Sequence, residues 1–256
     1  MKNEYFCHPH TFIIIMLVKT KAIVLHSFRY GETKAIVDLL TATHGRIACI
    51  ATLSKSPKAK LKKQYFQPLF IIEAVIDLRQ RARLQPLKEA RVAVPFTSIP
   101  FSPAKLAIAM FTAEFLRGAT RGETADDTLF AYVENSVRWL DGCERSFANF
   151  HLVFMMRLAK FLGFYPNLDG YTPGSRFDLR ASCFRADAPA HADCLPPEEA
   201  EKMKLLLRMN YATMHLYRMS RSERGRMADT ILRYYQLHVP DFPELKSLPV
   251  LKELFD

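Results

Sequence analysis

The chain has 256 residues, 49% of them hydrophobic, and a formal net charge of +10. That length suits one large domain or two small ones, with enough apolar material for a packed core. With 9 Gly and 15 Pro it is neither collagen-like nor disordered, and five widely spaced cysteines without a CxxC exclude a disulfide framework and fit a reducing cytoplasm.

The first apolar run, Phe12 to Val18, is too short to cross a bilayer and has no cleavage-site pattern behind it. Met16 stands just before a strand pattern, so residues 1–15 are expected to be a non-native or disordered extension. The alternative is an additional edge strand over residues 12–18. Five strands follow, over residues 18–28, 33–41, 46–53, 68–78 and 84–94, each rich in β-branched and aromatic residues and bounded by turn signals. In the second, Ala35, Val37 and Leu39 alternate with Ile36, Asp38 and Leu40. In the third, Ile47, Cys49 and Ala51 alternate with Ala48, Ile50 and Thr52. Five short strands with a longer polar insert between the third and fourth suit a small closed barrel of the OB type.

Helical periodicity then takes over. Ser102 beside Pro103 marks a helix start before residues 105–117, Asp126-Asp127 opens a helix to Leu140, and residues 147–164 form a strongly apolar third, ended by Gly163. Residues 168–196 lack a period and read as an irregular insert. Helices return over 197–211 and 222–239, with a short one at 249–255. The fold class is therefore α+β: an N-terminal five-stranded OB-fold β-barrel over residues 16–96, followed by an α-helical domain over residues 97–256.

Charge divides the chain more sharply than hydropathy. Residues 17–95 hold 15 Lys and Arg against 5 Asp and Glu, whereas residues 96–256 hold 20 of each. An excess confined to one small module points to a polyanion rather than to general solubility. Its densest part is the insert SKSPKAKLKKQYF, with Lys55, Lys58, Lys60, Lys62 and Lys63 in nine residues. Lys58, Lys60 and Lys62 alternate, so an extended backbone would aim them one way. Tyr65 can stack on bases, while Phe66 reads as core. Arg79, Arg81 and Arg83, also spaced by two, are expected on one face. About six phosphate contacts to a single strand would give a log–log salt slope of roughly −4.

Other chemistry is weakly marked. Cys183 and Cys194, with Asp187, His191 and Asp193 between them, have the wrong spacing for a zinc knuckle. The eight histidines stand singly, and no nucleophile, zincin or phosphate-loop motif occurs. Asp126-Asp127 and Glu198-Glu199 read as helix starts. Arg221, Arg224 and Arg226 flank a helix start, can pair with Glu223 and Asp229 and read as surface rather than site, although a groove rimmed by them could take an acidic peptide; Arg117, Arg138, Arg157 and Lys160 are similar candidates. No enzyme activity, cofactor or metal is expected.

Three separated motifs add a resemblance. They are VLHSxxYGETxxIVxLxTxxxGR at residues 24–46, FLGFYPN at 161–167 and YYQLHxPxFxxLKSLxVLxEL at 234–254. In this order they resemble the RecO family of DNA recombination-repair proteins, over about residues 17–255. The resemblance implies an OB-fold joined to a helical domain that binds single- and double-stranded DNA and anneals complementary strands. It further implies partnership with RecR, contact with the C-terminal tail of single-strand-binding protein, and loading of RecA onto DNA. Such proteins are cytoplasmic and nucleoid-associated, not membrane-bound. By position, Arg29, Arg46 and the insert lysines fall where the family's DNA-binding surface lies. Many members hold zinc with four cysteines after the FLGF helix, and here Cys183 and Cys194 alone remain, so a zinc-free version is expected. The rival to DNA binding is an adaptor whose basic barrel meets an acidic protein.

Overall fold

The computed structural model describes residues 15–54, 56, 59–80 and 82–254. Lys55, Lys58, Arg81 and residues 1–14 of the expected extension lie outside the described residues. Five strands close a barrel: β1 (Ile15–Tyr30), β2 (Lys34–Thr41), β3 (Gly45–Thr52), β4 (Ile71–Arg79) and β5 (Gln85–Val92), in the order β1-β2-β3-β5-β4. All neighbours are antiparallel except β3 and β5. β1 is longer than its β-propensity suggests: its first half pairs with β4, from Ile15 opposite Arg79, and its second half with β2. It serves both edges and so closes the sheet.

The strand alternation sorts residues as expected. Ala35, Val37, Leu39, Cys49 and Ala51 fill the barrel with Ala22, Val24, Ile72, Ala74 and Ile76. Burial pushes the Cys49 thiol up to about 12, which leaves it inert. Leu61 and Phe66 plug the barrel from the insert. A 3-10 turn at Lys63–Phe66 stands where OB-folds often carry a longer helix. β4 begins three residues later than Pro68 because Leu69 adopts left-handed backbone (φ 62°), pinned by its N–H to the Val24 carbonyl at 2.8 Å.

Among the described residues six α-helices follow: α1 (Pro103–Ala119), α2 (Asp127–Gly142), α3 (Phe150–Phe161), α4 (Pro197–Arg208), α5 (Arg221–His238) and α6 (Leu248–Lys252). The Ser102 side chain accepts from the Lys105 N–H, and the Asp126 side chain from the Thr128 and Leu129 N–H groups. Ser220 and Glu223 form a capping box at α5. The helical core centres on Phe115, whose ring meets Phe154, Tyr235 and Phe242. Each side chain so buried contributes about 1.5–3 kcal/mol.

The insert over 168–196 is more regular than its sequence. Three strands, β6 (Arg176–Asp178), β7 (Cys183–Arg185) and β8 (Cys194–Leu195), form a sheet in the order β7-β6-β8. Strands of two or three residues are too short to show a period, which is why this region read as irregular.

The barrel and helical domain share one core. Ile23, Leu25, Leu40, Leu69 and Ile71 leave the barrel's outer surface to pack with α1 and its neighbours. Lys21 Nζ reaches Glu134 of α2 at 3.0 Å, and the β2–β3 turn at Gly45 presses on the backbone of residues 123–125. This docking covers one end of the outer β1–β2–β3 face and leaves the other open.

Candidate nucleic-acid interface

Register places two outward rows on the open end of that face. Phe28 pairs with Ile36, Ile36 with Ile50, and Ile50 with Pro86. One step along, Tyr30 pairs with Lys34 and Lys34 with Thr52. Phe28 is 44% exposed and Tyr30 is 55% exposed. His26, the previous outward residue on β1, lies 5.6 Å from Phe28 between ring centroids. Burial, helped by the Arg117 charge, lowers the His26 pKa, and its Nδ1 has no partner. His26 marks the border between the covered and open ends. In the sequence Phe28 counts only as a sign of strand propensity and Tyr30 falls in the turn expected after residue 28, so the aromatic row does not show there.

The lysine insert runs along one side of these rows. Lys60 and Lys62 flank the inward Leu61, so their side chains take the outer side, as an extended backbone requires. The Lys60 carbonyl accepts from the Ala90 N–H, tying the insert to β5. A cleft of about 360 Å³ opens between them, with Ile50, Thr52 and Pro86 in its wall and Lys34, Lys60 and Lys88 around it. Lys34 and Lys88 carried no notice in the sequence because neither belongs to a charge cluster. Lys63 is exposed, while Tyr65 is half-buried against the barrel core.

Four of the barrel's five acids are held in ion pairs, Asp38 among them, and the fifth, Glu32, is exposed in the β1–β2 turn. On the surface of β1, β4 and β5, Glu73 meets Lys19 and Arg91, Asp77 meets Arg79 and Lys88, and Glu89 meets Lys60. The hydrogen bond from Arg91 chiefly lowers the Glu73 pKa, and that from Arg79 the Asp77 pKa. Among the described residues, Arg29, Lys34, Lys62, Lys63 and Arg83 have no carboxylate partner. Arg29 spans the β1–β2 turn, donating to the Gly31 carbonyl at 2.9 Å and the Glu32 carbonyl at 3.3 Å. The pairs made by Lys60 and Lys88 are exposed on the lysine side, worth about 0–1 kcal/mol, and leave both ammonium groups able to turn to a phosphate.

Two expectations meet a different geometry. Arg46 turns inward: its Nη1 donates to the Arg117 carbonyl at 2.6 Å, and its Nη2 lies 3.6 Å from Asp38. Asp38 also receives Arg117 Nε at 2.6 Å. Arg46 thus clamps the barrel to α1 and stands apart from the open face. Arg79 and Arg83 do not share a strand face, and Arg81 lies outside the described residues. Arg79 ends β4 beside Asp77, and the chain then turns, held by Gln85 hydrogen bonds to the Arg79 N–H and to the Arg79 and Ala82 carbonyls. Arg83 is exposed on the far side of that turn.

In the helical domain the candidate arginines are mostly structural. Arg117 joins Asp38, Arg138 joins Glu134, Arg157 donates to the Met209 carbonyl, and Lys160 lies over the Tyr165 ring. On α5, Glu223 caps its own helix and Asp229 meets Lys252. Arg224 lies buried and donates to Asn149 and the Met219 carbonyl. Beside it opens a cleft of about 420 Å³, lined by Met214, His215, Arg218 and Met219.

The zinc implied by the resemblance does not fit this chain. Cys183 and Cys194 lie opposite Asp178 on its two flanking strands. Two strand spacings, about 10 Å, separate them. Asp178 instead receives Arg185 at 3.1 Å, His191 at 3.4 Å and the N–H groups of Arg180 and Ala181. Burial raises its pKa, but these hydrogen bonds outweigh burial and the net shift is downward. Asp193 similarly joins Arg180 and Arg233. Among the described residues no three His, Cys, Asp or Glu side chains come together as a metal site, and no helix is long and apolar enough to cross a membrane.

Comparison with known proteins covers nearly the whole chain. The family model "Recombination protein O N terminal" matches residues 16–96, and "Recombination protein O C terminal" matches residues 100–249. A DNA repair protein RecO of Phocaeicola vulgatus is 51% identical over 240 residues, covering 94% of this chain and 100% of the relative. One from Bacteroides fragilis is 51% identical over 242 residues, with the same coverage. One from Porphyromonas gingivalis is 32% identical over 245 residues, again covering 94% of this chain and 100% of the relative.

Proposed function

Since the chain belongs to the RecO family of DNA repair proteins, we propose that its open barrel face binds single- and double-stranded DNA without sequence preference and anneals complementary strands. The observation that carries this reading is the cluster of cations at the open end of the face. Lys34, Lys60 and Lys88 surround the cleft, Lys62 and Lys63 continue the insert beside it and Arg29 stands at the β1–β2 turn, while four of the barrel's five acids are held in ion pairs. Phosphates hold no base information, so such contacts fix position and affinity but not sequence. Neutralising two backbones at once lowers the repulsion between strands and promotes their pairing.

In this reading residues 16–96 are the DNA-binding unit and residues 97–256 the protein-contact unit, which works with RecR to help load RecA. The cleft beside Arg224 has basic Arg218 and apolar Met214 and Met219, a chemistry that suits the acidic, apolar tail of single-strand-binding protein. The protein then acts by binding and not by making bonds, at the nucleoid. Annealing of dye-labelled complementary strands tests the reading. Wild-type protein should accelerate annealing, and Lys34→Ala/Lys62→Ala/Lys63→Ala should lose most of that acceleration. No acceleration by the wild type, or full acceleration by the variant, would refute it.

A further inference from the structure

We infer that Phe28 and Tyr30 stack on the unpaired bases of a single strand, and that this contact makes the barrel face prefer single-stranded over double-stranded DNA. The inference rests on the proposed DNA-binding reading and adds the form of DNA selected and the residues that select it.

Two observations carry it. First, these rings are in water where the barrel's other aromatic rings are not. Phe66 is buried in the barrel, and Tyr65 and Phe70 pack against its core. Phe28 and Tyr30 remain about half exposed on the uncovered end of the sheet. Second, they sit where a strand would run. They occupy alternate positions of β1, about 6.7 Å apart along the strand. That equals two van der Waals contacts of about 3.5 Å, so one base fits between the rings or one on each outer face. From Phe28 the half-buried apolar row continues through Ile36 and Ile50 to Pro86 across four strands. A four-stranded surface of this kind presents roughly two or three bases. Lys34 is beside Tyr30 in the register, and Lys60 and Lys88 close the far end of the cleft. A backbone following the lysines therefore keeps its bases over the rings.

In a duplex the bases already stack on one another and offer no free face. Duplex DNA can use the lysines but not the rings, so the rings add affinity to single strands alone. An acidic protein on this face would use the same lysines without needing flat partners for the rings.

The test is anisotropy with three ligands of equal length: an intact single strand, an abasic single strand and a duplex. Phe28→Leu/Tyr30→Leu keeps apolar area on an exposed surface but removes the flat rings. The double variant should lose roughly tenfold or more on the intact strand and be nearly unchanged on the abasic strand and the duplex. Wild-type protein should likewise bind the abasic strand more weakly than the intact one. Equal wild-type affinity for intact and abasic strands, or an equal loss by the variant on all three ligands, would overturn the stacking inference while leaving DNA binding in place. No binding of any ligand at low salt would overturn the DNA-binding reading and the stacking with it.

Discussion

Gly45 offers a direct test of how the barrel is seated on the helical domain. It turns β2 into β3 at φ +62°, and a Cβ there would lie 2.8 Å from the Glu123 carbonyl oxygen and 2.9 Å from the Thr124 carbonyl carbon. Both neighbours are backbone and cannot rotate away. Gly31, in the β1–β2 turn, has a similar φ of +71° but nothing within 4 Å of its Cβ position. Gly31→Ala therefore reports left-handed strain alone, about 1–2 kcal/mol. Gly45→Ala carries the same strain plus overpacking at the domain contact, a further ~1–3 kcal/mol. At about 2–4 °C per kcal/mol for chains of this size, Gly45→Ala should melt roughly 2–12 °C below Gly31→Ala in a calorimetric scan. Equal melting temperatures would show that the turn does not press on residues 123–125, and the docking described above would be wrong.

Three other outcomes follow from particular groups. Burial, with a smaller contribution from the Arg224 charge, lowers the His151 pKa from 6.5 to about 3, and its Nδ1 has no partner. The unfolded chain therefore takes up a proton that the folded one refuses, and stability should fall as pH drops below 6.5 by up to about 1.4 kcal/mol per unit; denaturant titrations of His151→Phe should lack that component. The Asp178 carboxyl has a folded pKa below its ordinary 3.8, so it stabilises the β6–β8 sheet above that value and loses its contribution as pH falls through the folded value. Asp178→Asn should speed amide exchange in residues 176–195 at neutral pH, with the difference from wild type vanishing in acid. Arg46→Ala should lower the melting temperature and leave the salt slope of DNA binding unchanged, whereas Lys62→Ala/Lys63→Ala should leave the melting temperature and flatten the slope by about 1.4.

Much of this architecture was legible in the residues. Alternation in β2 and β3 separated the inward set Ala35, Val37, Leu39, Cys49 and Ala51 from the outward one, and the turn signals gave five strands. Ser102 and Asp126 announced their helices through side chains that cap them. What alternation cannot tell is what an outward residue meets. Leu40 and Phe28 are both outward and apolar, yet Leu40 enters the shared core and Phe28 faces water, because α1 covers one end of the face and not the other. The same blindness affected Arg46. Its partners are Asp38 on the adjacent strand and the Arg117 carbonyl 71 residues away, a separation that no local pattern records. Phosphate contact and domain clamping ask for the same guanidinium, and only the tertiary arrangement distinguishes them. The β6–β8 sheet escaped for the opposite reason, since strands of two or three residues span too few repeats of the alternation that reveals strands.

The account stands on the open barrel face being a site for nucleic-acid backbone. Anisotropy of a fluorescent single-stranded oligonucleotide across a salt series tests that most directly, with two unrelated base compositions in parallel. About six phosphate contacts predict a log–log slope near −4, alike for both sequences. Absence of binding even at low salt, or binding that ignores salt, would contradict it.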